Sequence, residues 1–138
     1  MKRAIKILGI VVVVYAGLVT VFETLLGYYQ PRGEENLMIT LTEEDGSKSQ
    51  RVLSLFESQG ELYLAANHWP RAWFRQVKQN PEVHIDFGGA HSAQSGDYIA
   101  VPVEGIDHDR VLDDNQLPLF ARFLMGFPPR EFVRLERR

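Results

Sequence analysis

The chain has 138 residues, with 15 Lys and Arg against 18 Asp and Glu and no cysteine. This length allows one domain with its own hydrophobic core, and an apolar fraction of 45% excludes a disordered chain. The absence of cysteine excludes thiol nucleophiles, iron–sulfur clusters and Cys-based zinc sites. A pI near 5.8 argues against a nucleic-acid-binding protein, which would carry a clustered basic surface.

The first thirty residues are far more apolar than the rest. No charged side chain occurs from Ile7 to Phe22. A helix over residues 4–29 would be about 39 Å long, which is enough to cross a hydrocarbon core of about 30 Å, and Pro31 would end it. The pattern predicts an N-terminal membrane anchor over residues 1–30, embedded in the lipid bilayer, and a separate domain over residues 31–138.

Two other interpretations of the apolar segment stay open, a cleavable signal peptide and a buried hydrophobic helix. Lys2, Arg3 and Lys6 resemble the basic start of a signal peptide, but no small-x-small cleavage site follows before Gln30. The same basic residues favour a cytoplasmic amino terminus by the positive-inside rule. The prediction is therefore a single-pass protein whose folded domain lies on the far side of the membrane.

Residues 31–138 alternate between strand patterns and short helical patterns. β-Branched and alternating apolar runs predict strands, Asp45-Gly46 predicts a hairpin turn, and helical spacing of apolar residues predicts the helices. Sequential strands with few helices between them indicate a mainly β (α+β) antiparallel fold or a small barrel. The predicted strands are 37–42, 49–57, 61–66, 83–87, 98–103 and 131–135, and the predicted helices are 70–80, 107–117 and 119–125.

Four sequence motifs occur in a characteristic order. They are Gly46-Ser-Lys-Ser-Gln-Arg51, Gly60-Glu-Leu-Tyr-Leu-Ala-Ala-Asn67, Arg71-Ala-Trp-Phe74 and Val77-Lys-Gln-Asn-Pro-Glu-Val83. Together they resemble the deazaflavin-dependent nitroreductases and quinone reductases, which are split β-barrels related to the FMN-binding, pyridoxamine phosphate oxidase-like proteins. The first motif is similar to the family's Gly-x-x-Ser-Gly-x-x-Arg hairpin, which reaches the cofactor's phosphates.

The resemblance implies an antiparallel split β-barrel of about six strands with short helices. It implies a reduced 8-hydroxy-5-deazaflavin coenzyme or FMN as cofactor, hydride transfer to a quinone or another apolar acceptor, and a homodimer. No acid or base catalytic residue is assigned, because the hydride chemistry belongs to the cofactor. The candidate cofactor-binding residues are Lys48, Ser49, Arg51, Asn67, His68, Trp69 and Trp73.

Two departures from the family pattern keep a second interpretation open. The glycine after the hairpin serine is missing, and Asn67-His68-Trp69-Pro70 replaces the Gly-rich loop. The family's deazaflavin is also cytoplasmic, whereas the predicted topology puts this domain on the far side. The chain could therefore be a non-catalytic, membrane-tethered barrel that binds a ligand or a protein. In that case Arg51 is a solvated hairpin residue and Trp73 a core residue.

Two further kinds of site, a metal site and a hydrolase triad, find little support in the sequence. His84 and Asp86 share one face of a predicted strand, and His91 follows, but their spacing does not enforce the three or four ligands of a metal site. No Gly-x-Ser-x-Gly elbow is present for a serine hydrolase. The sequence therefore predicts neither.

Overall fold

The computed structural model describes residues 2–28, 36–67 and 72–138. They belong to two units, one comprising the N-terminal helix with residues 117–128 and the other comprising residues 31–116 and 129–138. The predicted division into residues 1–30 and 31–138 stays a prediction. The helices are α1 (Lys2–Tyr28), α2 (Ala72–Gln79), α3 (Gly105–Asp114) and α4 (Leu119–Leu124), and a 3-10 helix spans Gly89–Gln94. The strands are β1 (Asn36–Thr42), β2 (Lys48–Ser58), β3 (Glu61–Ala66), β4 (Glu82–Phe87), β5 (Gly96–Pro102) and β6 (Glu131–Arg137).

Helix α1 is apolar along almost its whole length. The stretch Lys2–Leu26 is long and apolar enough to cross a membrane, and its most apolar window is not buried within the structure. The hydroxyls of Thr20 and Thr24 donate to the carbonyls of Ala16 and Thr20, at 2.8 and 2.7 Å. These bonds satisfy both hydroxyls within the helix, as a membrane-spanning segment requires.

The six described strands close into a barrel in the order β1-β2-β3-β6-β5-β4. Every neighbouring pair is antiparallel. The predicted antiparallel barrel of six strands, with short helices and a preceding apolar helix, is confirmed. Each of these strands has a neighbour on both sides, and β2 is shared between two of them, pairing with β1 over Lys48–Ser54 and with β3 over Leu55–Ser58.

The barrel core comes from strict alternation along the strands. Leu37, Ile39 and Leu41 of β1 are buried, whereas the residues between them are less covered. Helix α2 adds Trp73, Phe74 and Val77 to the same core. The remaining buried members of this cluster are Leu64, Ala66, Val83, Ile85, Phe87, Tyr98, Ala100, Val133 and Leu135.

A second apolar cluster joins α3 to the barrel. Tyr63 and Phe132 alternate with the interior residues of their strands, and they pack with Val103 and Val111. The Tyr63 hydroxyl donates to Glu61 at 2.7 Å and accepts from Arg110 at 3.3 Å. Burial raises the pKa of this phenol, which stays protonated and able to donate near neutral pH.

Several element boundaries differ from the sequence prediction. Helix α3 spans Gly105–Asp114 instead of residues 107–117, with Glu104 in the position before the helix. Residues 89–94, which the sequence pattern leaves unassigned, form a 3-10 helix, and the Ser95 hydroxyl accepts the backbone N–H of Phe87 at 3.0 Å. Local hydrogen bonds therefore produce helical structure at residues 89–94, where the pattern of apolar residues does not predict any.

We predict that Ile39→Ala destabilises the barrel by about 2–5 kcal/mol, because the side chain is fully buried and its removal leaves a cavity. Urea unfolding followed by circular dichroism measures the change. The matched control is Ile106→Ala, because Ile106 is 87% exposed. The control should shift stability by no more than about 0.5 kcal/mol. Equal effects of the two substitutions would contradict this assignment of the core.

Candidate functional site

The candidate site begins at the hairpin between β1 and β2. Gly46 adopts a φ of 82°, a conformation that glycine reaches without strain. Its N–H donates to the carbonyl of Glu43 at 3.0 Å, and the N–H of Ser47 donates to Asp45 Oδ1 at 2.9 Å. Hydrogen bonds from the Ser47 side chain and backbone lower the pKa of Asp45. The turn thereby fixes the register in which β2 pairs with β1.

Register determines which face of β2 each candidate residue occupies. Ser49 pairs with Leu41 and Arg51 pairs with Ile39. Directly opposed residues in an antiparallel pair share a face, so Ser49 and Arg51 lie on the face that points into the barrel. Lys48 pairs with Thr42 and lies on the other face. The structure therefore brings Ser49 and Arg51 together and separates Lys48 from them.

This face of β2 is less covered than the same face of β1. Leu53 and Leu55 pack against the core but are only partly buried, and Arg51 is exposed. The Arg51 guanidinium donates to the carbonyl of Gln50 at 3.1 Å. Ser49 Oγ is buried and has no hydrogen-bond partner of normal geometry among the described residues. The Arg51 guanidinium is thus available as a donor beside an accessible apolar surface.

An acidic side chain shares this region. The pKa of Glu43 is lowered, first by interaction with the Ser49 side chain, then by Gln76 and more weakly by the charge of Arg51. Glu43 is therefore ionised at neutral pH. A phosphate bound to Arg51 would therefore be repelled by the negative charge of Glu43.

The second candidate region starts where β3 ends. Asn67 Oδ1 accepts a hydrogen bond from Arg130 Nε at 2.8 Å, and Arg130 Nη1 donates to the carbonyl of Asn115. The buried Arg130 guanidinium lies 5.1 Å from the ring centre of Phe132 and 5.8 Å from that of Phe56. The Asn67 side chain is thereby held at the start of the loop. His68 and Trp69 lie outside the described residues.

Arg130 is a residue that sequence reasoning missed. In the sequence it is one of several arginines near the C-terminus, following Pro128-Pro129. Only its 8% exposure and its bond to Asn67 distinguish it from the others. The carbonyl of Arg130 also contacts His108 Nε2 at 2.8 Å, so the residue links β3, α3 and the start of β6.

Trp73 is placed in the barrel core. It is 7% exposed, and its ring lies edge-on to Phe74 with centres 6.0 Å apart. This placement agrees with the structural alternative for Trp73, and contact with a cofactor stays a prediction. The same holds for the cofactor roles of Lys48, Ser49, Arg51, Asn67, His68 and Trp69.

His84 forms an exposed ion-pair cluster on the outer face of the barrel. Its Nδ1 lies 2.7 Å from Asp97 Oδ1, and its Nε2 lies 3.5 Å from Asp86 Oδ1. His91 instead contacts Gln94 and Phe87. Within residues 2–28, 36–67 and 72–138, no group of three or more His, Cys, Asp or Glu is arranged to hold a metal ion.

The hydrogen bond to Asp97 raises the pKa of His84 above its usual value of 6.5, and the charges of Asp86 and Asp97 add to this. A raised folded-state pKa stabilises the fold fully below about pH 6.5, and this stabilisation is lost as the pH rises through the folded-state value. We therefore expect the Tm advantage of wild type over His84→Gln to shrink as the pH rises above about 6.5. A difference that grows with pH would contradict the pairing.

No protein-family model matches this sequence, and no curated protein matches it significantly. Solved structures do share its fold. An F420-H2-dependent reductase is similar over 74% of this chain and 94% of its own, with a TM-score of 0.55 and 20% identity. An FMN-binding protein related to pyridoxamine 5'-phosphate oxidase, from Nostoc punctiforme, is similar over 75% of this chain and 70% of its own, with a TM-score of 0.51 and 13% identity.

The same fold occurs in proteins with other descriptions. The heme-storage protein HutZ from Vibrio cholerae is similar over 78% of this chain and 84% of its own, with a TM-score of 0.51 and 15% identity. A domain-swapped dimer is similar over 74% of this chain and 80% of its own, with a TM-score of 0.55 and 20% identity. The chain thus has the split β-barrel fold of F420-H2-dependent reductases and pyridoxamine phosphate oxidase-like, FMN-binding proteins, as the motif resemblance predicted.

Proposed function

We propose that this protein is a membrane-anchored oxidoreductase. Its barrel binds a reduced 8-hydroxy-5-deazaflavin coenzyme or FMN and promotes hydride transfer to an apolar acceptor such as a quinone. The observation that carries the proposal is the placement of Ser49 and Arg51 on the incompletely covered inner face of β2, in a fold shared with reductases and FMN-binding proteins.

The donors on β2 suit a phosphate group. A planar guanidinium binds phosphate through two parallel hydrogen bonds, and Arg51 is exposed. The Ser49 side chain, two residues away, interacts with the Glu43 carboxylate, so its hydroxyl would have to turn away from Glu43 to donate to a phosphate. Lys48 contributes its charge from the opposite face. The Asn67 side chain is held by Arg130, and the proposed roles of His68 and Trp69 next to it rest on the sequence alone.

The half-covered leucines beside these donors suit the rest of the proposed reaction. Leu53 and Leu55 offer an apolar surface for a planar ring and for an apolar acceptor. When bound, the cofactor supplies the hydride. The protein's contribution is to hold the two reactants together and to limit the access of water, which raises the rate by orienting them.

The apolar helix α1 supports the membrane part of the proposal. A quinone dissolves in the bilayer, so an anchored barrel meets it at high local concentration. A cytoplasmic amino terminus would put the barrel on the far side of the membrane, so binding of the deazaflavin, which is cytoplasmic in the resembled family, requires the opposite orientation of α1. We propose a homodimer as the assembly, by analogy with the domain-swapped dimer of the same fold.

Arg51→Ala should weaken the binding of FMN or of the deazaflavin about tenfold or more, because it removes a charge-assisted hydrogen bond to phosphate. Titration of the detergent-purified, full-length protein with each cofactor, followed by absorbance and fluorescence, measures the change. Arg137→Ala is the matched control, because Arg137 is an exposed arginine on β6. If wild-type protein binds neither cofactor, the oxidoreductase proposal fails and the non-catalytic barrel becomes the better explanation.

Glu43→Gln should strengthen the binding of the same phosphorylated cofactors by up to about fivefold at low salt, the range of an exposed charge pair. The substitution removes a negative charge that acts on Arg51 and would repel a phosphate. Glu57→Gln, near the other end of β2, serves as the control for net charge. Unchanged affinity in Glu43→Gln at low salt would place the phosphate elsewhere.

A further inference from the structure

Residues 117–128 carry an unusual concentration of exposed apolar side chains. Outside α1, four of the five exposed large apolar residues among the described part of the chain lie in this segment. Leu119 and Phe120 are 70% and 72% exposed. Exposed apolar side chains grouped in this way mark an interaction surface. They are Leu119, Phe120, Phe123 and Phe127.

The segment packs directly on the apolar helix α1. The Tyr15 hydroxyl donates to the carbonyl of Phe123 at 2.8 Å, and the two rings lie with their centres 4.8 Å apart. Tyr15 is near the middle of α1, about 20 Å from either end at ~1.5 Å per residue. If α1 crosses a bilayer, this contact lies at the depth of the hydrocarbon core.

Tyr15 needs such a partner when α1 is in lipid. A hydroxyl without a hydrogen bond is costly in hydrocarbon. Thr20 and Thr24 bond to carbonyls of their own helix, but the longer phenol of Tyr15 extends away from α1. The carbonyl of Phe123 supplies the acceptor. With α1 in lipid, the segment therefore gives the Tyr15 hydroxyl a hydrogen-bond acceptor at a depth where water is absent.

The backbone at the end of α4 is also satisfied internally. The N–H groups of Gly126 and Phe127 donate to the carbonyls of Phe123 and Arg122, at 3.1 and 2.8 Å. This is the paired capping arrangement that closes the C-terminus of a helix. In a bilayer, backbone outside a spanning helix is tolerated where it is buried against protein, and the contact of Phe123 with Tyr15 places this segment against α1.

Arg122 is the one charged residue in the segment. Its guanidinium lies 5.7 Å from the ring centre of Phe127. Contact with an aromatic face reduces the cost of the charge, and the long side chain can extend towards the headgroups. The segment's single charge is thus compatible with a lipid environment.

We propose that residues 117–128 form a second membrane element that lies in the bilayer beside α1, with Leu119, Phe120 and Phe127 in contact with lipid acyl chains. This inference rests on the proposed membrane anchoring by α1. The chain enters the barrel unit at both ends of this segment, so the barrel is tied to the membrane there as well as through the chain that follows α1. Such attachment limits the distance between the barrel and an acceptor dissolved in lipid.

The absence of native cysteine allows a direct test in the full chain. Val13→Cys, Phe120→Cys and Ile106→Cys each receive a nitroxide label, and the proteins are reconstituted in phosphatidylcholine and phosphatidylglycerol vesicles. All three positions are exposed apolar residues, so folding is little affected. Power-saturation EPR then compares collision with oxygen, which partitions into lipid, and with a water-soluble nickel chelate.

We expect the labels at positions 13 and 120 to favour oxygen and the label at position 106 to favour the nickel chelate. A lipid signal at position 13 with an aqueous signal at position 120 would overturn the second membrane element and leave the anchor intact. An aqueous signal at position 13 would overturn the anchor itself and, with it, this inference. Lipid signals at all three positions would also overturn it, because insertion would then not be specific to the segment.

Discussion

Antiparallel pairing that closes on itself is the constraint on which the barrel unit depends. Once β1 pairs with both β2 and β4, every residue of β1 faces either the interior or the outside. Leu37, Ile39 and Leu41 fill the interior, and a slip by one residue would replace them with the alternate set, which includes the polar Thr40 and Thr42. The same register places Ser49 and Arg51 opposite core residues. The pairing of β1 with β2 thus determines both which residues form the core and which residues form the candidate site.

The inner face of β2 combines two roles that usually exclude each other. Leu53 and Leu55 contribute to the core, while Arg51, two residues earlier on the same face, is exposed. A charged side chain on an inward face is tolerated here because that face is incompletely covered near the hairpin. An incompletely covered apolar face beside a cation is a suitable place for a ligand that is apolar at one end and anionic at the other.

Polar groups in apolar surroundings determine the details of both units. In the barrel unit, Arg130 lies against aromatic rings and donates to Asn67, which holds the Asn67 side chain at the end of β3. In the other unit, the Tyr15 hydroxyl donates a hydrogen bond to the carbonyl of Phe123. In each case one hydrogen bond joins segments that are distant in sequence. Loss of either partner would leave a polar group unpaired, which costs more than the bond itself contributes.

Local periodicity, turn residues and short motifs in the amino-acid sequence were enough to predict the number and order of the strands, the apolar helix and the split β-barrel fold. The sequence did not reveal that Arg130 is buried or that residues 117–128 pack on α1. Nor did it show that Ser49 and Arg51 share one face of β2 while Lys48 lies on the other. Those depend on register and on contacts between distant segments. Tertiary structure decided them, because a side chain's surroundings are set by which strands and helices it meets and not by its neighbours along the chain.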